Sequence, residues 1–342
     1  FRLRGESAVP LIILSGHEAS KVTCLTLQII NENDSMKIIR ATEMGMCFGV
    51  RDALQIANGV ANPTEVTIHG ELVHNPRVIH QLDVAGFVQS SEISREEAAE
   101  TPVVLITAHG VSDKERARLK LSGKQLIDTT CPLVRRAHDA AMKLAAEGRH
   151  VLLIGKPGHV EVQGIVEDLD SYDVVANVDA VKKYGSNRIG IVCQTTMPSC
   201  LLEQIRKEIA VQNAEADICF VDTVCHPTKR RQAAMQELVQ QVDAVVVVGG
   251  RNSNNTRRLA ELCQEHEVPV LHITCAEELD VVWFDGFEII GLTAGTSTLD
   301  STINAVHDRL EQLTSGVKPI ADCVKVSVSG VEQQLNADCS ER

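Results

Sequence analysis

The segment Ala244-Val-Val-Val-Val248 has no polar face. Such a run can be a strand only if both faces of its sheet are covered, as in parallel sheets lying between helices. Comparable apolar runs recur at Met36–Ala41, Glu65–His69, Val103–Thr107, Gln125–Asp128, His150–Ile154 and Arg188–Cys193. They continue at Asp217–Asp222, Asp243–Val248, Val268–Ile273 and Phe287–Thr293. Between them the spacing predicts helices, among them Pro132–Glu147, Ser199–Gln212, Pro227–Gln241 and Thr256–His266. Alternating β and α predicts an α/β protein with parallel sheets. No apolar run approaches the roughly 18 residues of a membrane helix.

A longer period overlies this alternation. Cys47, Cys131 and Cys225 each follow a strand-like segment and directly precede a helical one, at separations of 84 and 94 residues. Pro132 and Pro227 suit the first turn of a helix, where the backbone N–H is unbonded anyway. Each thiol is then expected at a positive helix end, which favours its thiolate. The chain therefore reads as three similar α/β units, roughly 36–130, 131–224 and 225–316, followed by a tail, 317–342. Ahead of them, residues 1–35 carry two Arg and a short apolar stretch, Ala8-Val-Pro-Leu-Ile-Ile-Leu14. It resembles a weak signal peptide, but Pro10 interrupts it and no clear Ala-x-Ala site follows. The expectation is a leader outside the fold, Met36 as working start, and a cytoplasmic protein.

Charge and composition narrow the function. Lys and Arg number 33 against 46 Asp and Glu, a formal net charge of −13, and aromatics make up only 3%. Nucleic-acid affinity is largely phosphate neutralisation or base stacking, so neither a nucleic acid nor a membrane is expected as partner. Eleven irregularly spaced cysteines in a chain of this length fit a reduced protein better than a disulfide scaffold.

Polar loops follow the strands: Gly70-Glu-Leu-Val-His-Asn75, Thr107-Ala-His-Gly-Val-Ser112, Gly155-Lys-Pro-Gly-His-Val-Glu161 and Cys193-Gln-Thr-Thr196. Gly249-Gly-Arg-Asn-Ser-Asn-Asn-Thr256 and Thr293-Ala-Gly-Thr-Ser297 complete the set. Parallel sheets bind ligands beyond the carboxyl ends of their strands. If the units face one centre, three thiols meet three His, one Glu and several hydroxyl and amide groups there. Three thiolates can hold an iron–sulfur cluster and leave one iron without a protein ligand. The His, Ser and Asn donors suit a phosphate or diphosphate, and Gly-rich loops let backbone approach it at helix N-termini.

Plainer readings compete at each position. A cysteine taken singly is usually a buried core residue, which is how Cys24, Cys193, Cys200, Cys219, Cys263, Cys275, Cys323 and Cys339 read. His69, His80, His138, His150, His266, His272 and His307 read as surface or satisfied core histidines. The basic runs Arg135-Arg136, Lys229-Arg230-Arg231 and Arg257-Arg258 read as solvated helix faces.

At these residues the chain resembles the 4-hydroxy-3-methylbut-2-enyl diphosphate reductases, the IspH or LytB family, over about residues 36–300. The matching segments keep their order: Gly45-Met-Cys-Phe-Gly-Val50, Leu72-Val-His-Asn75, Ala108-His-Gly-Val-Ser112, Asp128-Thr-Thr-Cys-Pro132, Gly158-His-Val-Glu161 and Gln194-Thr-Thr196. Asp222-Thr-Val-Cys225, Arg231-Gln232, Asn252-Ser-Asn-Asn-Thr256 and Thr293-Ala-Gly-Thr-Ser297 follow. The resemblance implies a trefoil of three α/β units around one [4Fe–4S] cluster per chain, with Cys47, Cys131 and Cys225 as ligands. It implies that His74, His109, His159, Ser253, Asn254, Asn255 and Ser297 hold the diphosphate, with Thr228 at another pocket position. Glu161 would relay protons, and Thr195 or Thr196 would sit near the substrate hydroxyl. The implied reaction removes the allylic hydroxyl reductively and gives isopentenyl and dimethylallyl diphosphate, the last step of the non-mevalonate isoprenoid route. A small ferredoxin or flavodoxin is the implied electron donor. The departures from the family pattern are Lys156-Pro157, Val160, His226-Pro227, Arg230 and Leu299. Two rivals use the same residues: a three-Cys zinc hydrolase of a phosphorylated small molecule, and a cluster-free ligand-binding homologue.

Overall fold

The structure, a computed structural model, describes residues 36–91 and 101–314. The expected leader 1–35 and tail 317–342 lie outside the described residues. The chain enters with β1 (Lys37–Arg40) and α1 (Phe48–Asn58). Next come β2 (Val66–His69), α2 (Pro76–Val84), β3 (Val88–Gln89), β4 (Val103–Ile106), α3 (Asp113–Leu121) and β5 (Gln125–Asp128). The middle part holds α4 (Pro132–Ala146), β6 (His150–Ile154), α5 (Val160–Val166), β7 (Tyr172–Val175), β8 (Arg188–Cys193), α6 (Ser199–Gln212) and β9 (Asp217–Phe220). The last part holds α7 (His226–Leu238), β10 (Ala244–Val248), α8 (Asn254–Glu265), β11 (Val270–Ile273), β12 (Ile289–Ala294) and α9 (Asp300–Thr314).

These strands form three separate four-stranded sheets, ordered β3-β2-β4-β5, β7-β6-β8-β9 and β1-β12-β10-β11, with every pairing parallel. The apolar runs are two-faced, as their composition demands. On β10, Ala244, Val246 and Val248 enter one core with Ile290, Leu292 and Ile303, while Val245 and Val247 enter another with Met235, Leu259 and Leu262. On β6, Leu152 and Ile154 face one core and Val151 and Leu153 the other. Successive residues of a strand point to opposite faces, so a sheet covered on both sides needs no polar alternation.

One element departs from the expected organisation. The strand at Met36–Ala41 was expected to open the first unit, but β1 pairs with β12, in register Lys37 with Ile289 through Arg40 with Leu292. The first two sheets share one plan, in which the first strand lies between the second and third, and the fourth lies outside the third. Among the described residues, the chain from α7 onward supplies three strands for its sheet. β1 takes the fourth place, so the three-fold plan is circularly permuted against the chain.

Candidate active site

The permutation fixes where the cysteines lie. The fourth strand of each sheet runs into the first helix of the next unit: β1 into α1, β5 into α4, β9 into α7. The residue capping each of those helices is a cysteine, Cys47, Cys131 and Cys225 respectively. Their backbone N–H groups make the same bond three times. They donate to the carbonyls of Thr296, Ala108 and Thr195 at 3.0, 3.0 and 2.9 Å, in the loops after β12, β4 and β8. The next residues in those loops are Ser297, His109 and Thr196, so each junction carries one thiol and one polar side chain in the same relation.

All three thiols lie on the wall of one cavity of about 100 Å³. Helix N-termini were expected to favour thiolates, but at Cys131 and Cys225 burial wins. It pushes the Cys131 thiol up to about 11, against the N–H groups of Leu133 and Val134, and charge on Cys47 or Cys225 pushes the same way. Burial also raises Cys225, whose Sγ lies 3.1 Å from Thr228 Oγ1. Thiols this desolvated are poor free nucleophiles, whereas a soft metal centre can displace their protons and neutralise the charge. The surroundings leave space for such a group. A Cβ on Gly49, in the first turn of α1, would stand 2.5 Å from Cys131 Sγ, closer than side chains tolerate. We expect Gly49→Ala to displace Cys131 and lower iron loading severalfold while α1 stays folded, because alanine favours a helix by about 1 kcal/mol over glycine. Iron analysis beside far-ultraviolet circular dichroism checks this.

Apolar side chains of Val50, Val73, Leu133 and Val134 share the rest of the wall with a set of polar groups. His74, His109 and His159 cluster from two units, with His74 and His109 stacked at 4.2 Å between ring centroids and His159 edge-on to both at 5.5 and 5.8 Å. His159 caps α5, and its Nδ1 accepts the Glu161 N–H at 3.2 Å, which leaves Nε2 as the protonated nitrogen of the neutral ring. His74 Nδ1 donates to Glu71 Oε2 at 3.0 Å. Ser253 caps α8 by accepting the Thr256 N–H at 3.4 Å. Asn254 and Asn255 follow in the first turn, where helix N–H groups favour an anion. Asn255 is buried and its Nδ2 has no hydrogen-bond partner, so the cavity presents a donor lacking an acceptor. Ser297 Oγ donates to the His74 carbonyl at 3.1 Å, and Asn75 Nδ2 donates to the Ser297 carbonyl at 2.6 Å. Among the described residues no Lys or Arg lines the cavity. The donors are amides, hydroxyls and imidazoles, which suits a phosphate group.

Glu161 is the carboxylate on this wall. It is only 2% exposed, and Thr195 grips it twice: the N–H donates to Oε1 at 2.6 Å and the hydroxyl to Oε2 at 2.9 Å. Burial pushes its pKa to about 7 despite those two bonds. Thr196 stands beside it, its Oγ1 accepting from Gln194 Nε2 at 3.2 Å.

Every residue singled out from the sequence as a ligand, substrate contact or proton donor thus lines this one cavity. Gly49 and Asn75 were given no role, although a glycine two residues after a cap cysteine is a readable sign of close approach. Arg231, read as a solvated face, is 4% exposed instead. Its Nε and Nη2 donate to the Gly45 carbonyl at 3.1 and 2.6 Å, which ties α7 to the loop before Cys47.

Comparison with known proteins agrees with this arrangement. A curated protein of Trichlorobacter lovleyi, named 4-hydroxy-3-methylbut-2-enyl diphosphate reductase, is 36% identical over 283 residues, 82% of this chain and 99% of its own. One of the same name from Aquifex aeolicus is 33% identical over 286 residues, 82% of this chain and 97% of its own. The solved E-1-hydroxy-2-methyl-but-2-enyl-4-diphosphate reductase of Plasmodium falciparum superposes with a TM-score of 0.74 at 25% identity, covering 80% of this chain and 87% of that one. The LytB protein family model matches residues 38–311, most of the 342, and the chain therefore belongs to the LytB family.

Proposed function

We propose that this chain reduces 4-hydroxy-3-methylbut-2-enyl diphosphate to isopentenyl and dimethylallyl diphosphate. The observation that carries the reading is the convergence of three helix-capping cysteines, a donor-rich set of His, Ser and Asn side chains and a buried carboxylate on one cavity. Cys47, Cys131 and Cys225 are the residues to hold a [4Fe–4S] cluster. When bound, such a cluster supplies electrons one at a time. A ferredoxin or flavodoxin is the donor we expect to refill it.

The chain's own residues do the rest. Ser253, Asn254, Asn255 and the N–H groups of α8 receive the diphosphate, helped by His74, His109, His159 and Ser297. Thr228 packs beside Cys225. Glu161, held by Thr195, protonates the departing hydroxyl so that it leaves as water, and Thr196 lies beside this position. Burying the allylic part keeps water from competing for protons.

Anaerobic reconstitution of the full chain tests the reading. It should bind iron and acid-labile sulfide in the proportion of a [4Fe–4S] cluster and turn over the substrate with a chemical reductant. Zinc without sulfide would favour the hydrolase, and neither metal would favour a cluster-free binding protein. In Ser253→Ala and Asn255→Ala, each lost bond to a charged group should cost about 1.5–3 kcal/mol. Affinity for a diphosphate product, measured by calorimetry, should fall about ten- to a hundred-fold with an unchanged cluster spectrum.

A further inference from the structure

We propose that His138 and Asp168 form a proton-supply pair that recharges Glu161 through a second, smaller cavity. The inference rests on the reading of Glu161 as proton donor given above. Glu161 and His109 line both the substrate cavity and an adjoining one of about 10 Å³, roughly the room of one water, so the carboxylate borders both spaces. His138 of α4 and Arg116 of α3 line the smaller space and not the substrate cavity.

The side chain of His138 is 5% exposed, and its two nitrogens differ. Nε2 lies 2.7 Å from Asp168 Oδ2 and donates to it. Nδ1 is buried and has no hydrogen-bond partner, and neither has Arg116 Nε on the same small cavity. Two orphaned polar atoms beside a small void are what a bridging water satisfies. Asp168 in turn accepts the backbone N–H groups of Asp113 and Lys114 at 2.6 and 3.0 Å, and these with His138 hold it below the ordinary carboxylate range despite its burial. It also borders a broad surface groove beside Asp170 and Ser171, which gives the pair an outlet to solvent.

The other charged groups around His138 do not compete for this role. Asp139 on its own helix is 3.8 Å from Nδ1, beyond hydrogen-bond reach. Asp113 lies near the pair but is held by Arg135 at 2.8 Å, and Arg116 is paired with Asp128. With Asp113 and Asp168 engaged by hydrogen-bond donors, the trio is a hydrogen-bonded assembly rather than a cation site.

The transfer balances without electrons. The imidazolium gives its Nδ1 proton to the bridging water, the water gives one of its own to a Glu161 oxygen, and neutral His138 takes a new proton from solvent. Asp168 accepts the Nε2 proton throughout, so the ring is held with Nδ1 free to serve the water.

The test uses the reconstituted full chain with the allylic diphosphate and a chemical reductant, comparing wild type, His138→Asn and Asp168→Asn across pH. The kcat of His138→Asn should fall about tenfold above neutral pH, part of the typical general-acid contribution. KM, iron content and affinity for a diphosphate product should stay unchanged, the solvent deuterium isotope effect should grow, and added imidazole should restore kcat. In Asp168→Asn, which removes the carboxylate that accepts the Nε2 proton, kcat should fall over the same pH range with KM unchanged, a readout that survives if His138→Asn does not fold. A wild-type pH profile in both variants, or an equal loss at every pH without imidazole rescue, overturns the proposal. An inactive wild type with a loaded cluster overturns the proposed function and this inference together.

Discussion

Replacing Cys47, Cys131 or Cys225 by serine is expected to abolish cluster loading and turnover, each single variant falling nearly as far as the triple one. A serine hydroxyl is a harder ligand and keeps its proton far more tightly than a thiol. The three thiols converge from three helix caps on one cavity, so the loss of one leaves the others without a complete set. Residues that act as one unit give non-additive losses. The decline should exceed the 10–100-fold typical when only a supporting residue of a metal site is changed. Cys263→Ser is the control. That thiol is fully buried in the core behind β10, lies 3.4 Å from the Leu259 carbonyl, and is pushed up to about 12 by burial. Its replacement should lower stability and leave iron and sulfide per folded chain unchanged. Normal iron, sulfide and activity in any one of the trio would remove that residue from the ligand set.

The sequence revealed most where the chemistry is local. Ala244–Val248 reads as a doubly covered strand because five apolar residues in a row cannot present a wet face, and β10 indeed divides its side chains between two cores. The cysteine junctions were readable because strand, cysteine and helix are contiguous, with Pro132 and Pro227 in the first turns. Contacts between distant residues leave no such mark. The partner of β1 is 252 residues away in the chain, so nothing near Lys37 says that its strand closes the last sheet. Arg231 looked solvated because its neighbours Lys229 and Arg230 are, and its burial depends on the Gly45 carbonyl 186 residues earlier. The short strands β3 and β7 went unread because Val88–Gln89 and Tyr172–Val175 are too brief and too mixed to show a period. The thiol at a helix N-terminus is a correct local expectation, outweighed by burial that only the assembled units create.

Glu161→Gln is expected to slow turnover by about 10²–10⁴ while leaving the cluster and substrate affinity nearly intact, the range typical of general acid catalysis. Glutamine keeps the shape. Its Oε1 can still accept the Thr195 N–H, and its amide can donate to the Thr195 hydroxyl, so the two bonds at 2.6 and 2.9 Å both have replacements. What disappears is the proton. Burial raises the Glu161 pKa from 4.5 to about 7, so the acid form, which can protonate the leaving hydroxyl, dominates only below that value. Wild-type kcat should therefore decline as pH rises through about 7, and the residual rate of the variant should lack this limb. The same shift has a sign in stability. The folded protein binds this proton more tightly than the unfolded chain, so its contribution is full below the unfolded value of 4.5 and is lost as pH rises through about 7. A difference of that size corresponds to roughly 3 kcal/mol. Above neutral pH the cluster-free variant should thus be more stable than the cluster-free wild type by up to that amount, and the gap should close on acidification. Denaturant titrations at two pH values measure it, and single-turnover reduction with a chemical donor measures the rate. Slower turnover together with higher alkaline stability identifies a buried carboxyl kept for its proton. Near-normal single turnover would remove Glu161 from the chemistry, whatever its pKa.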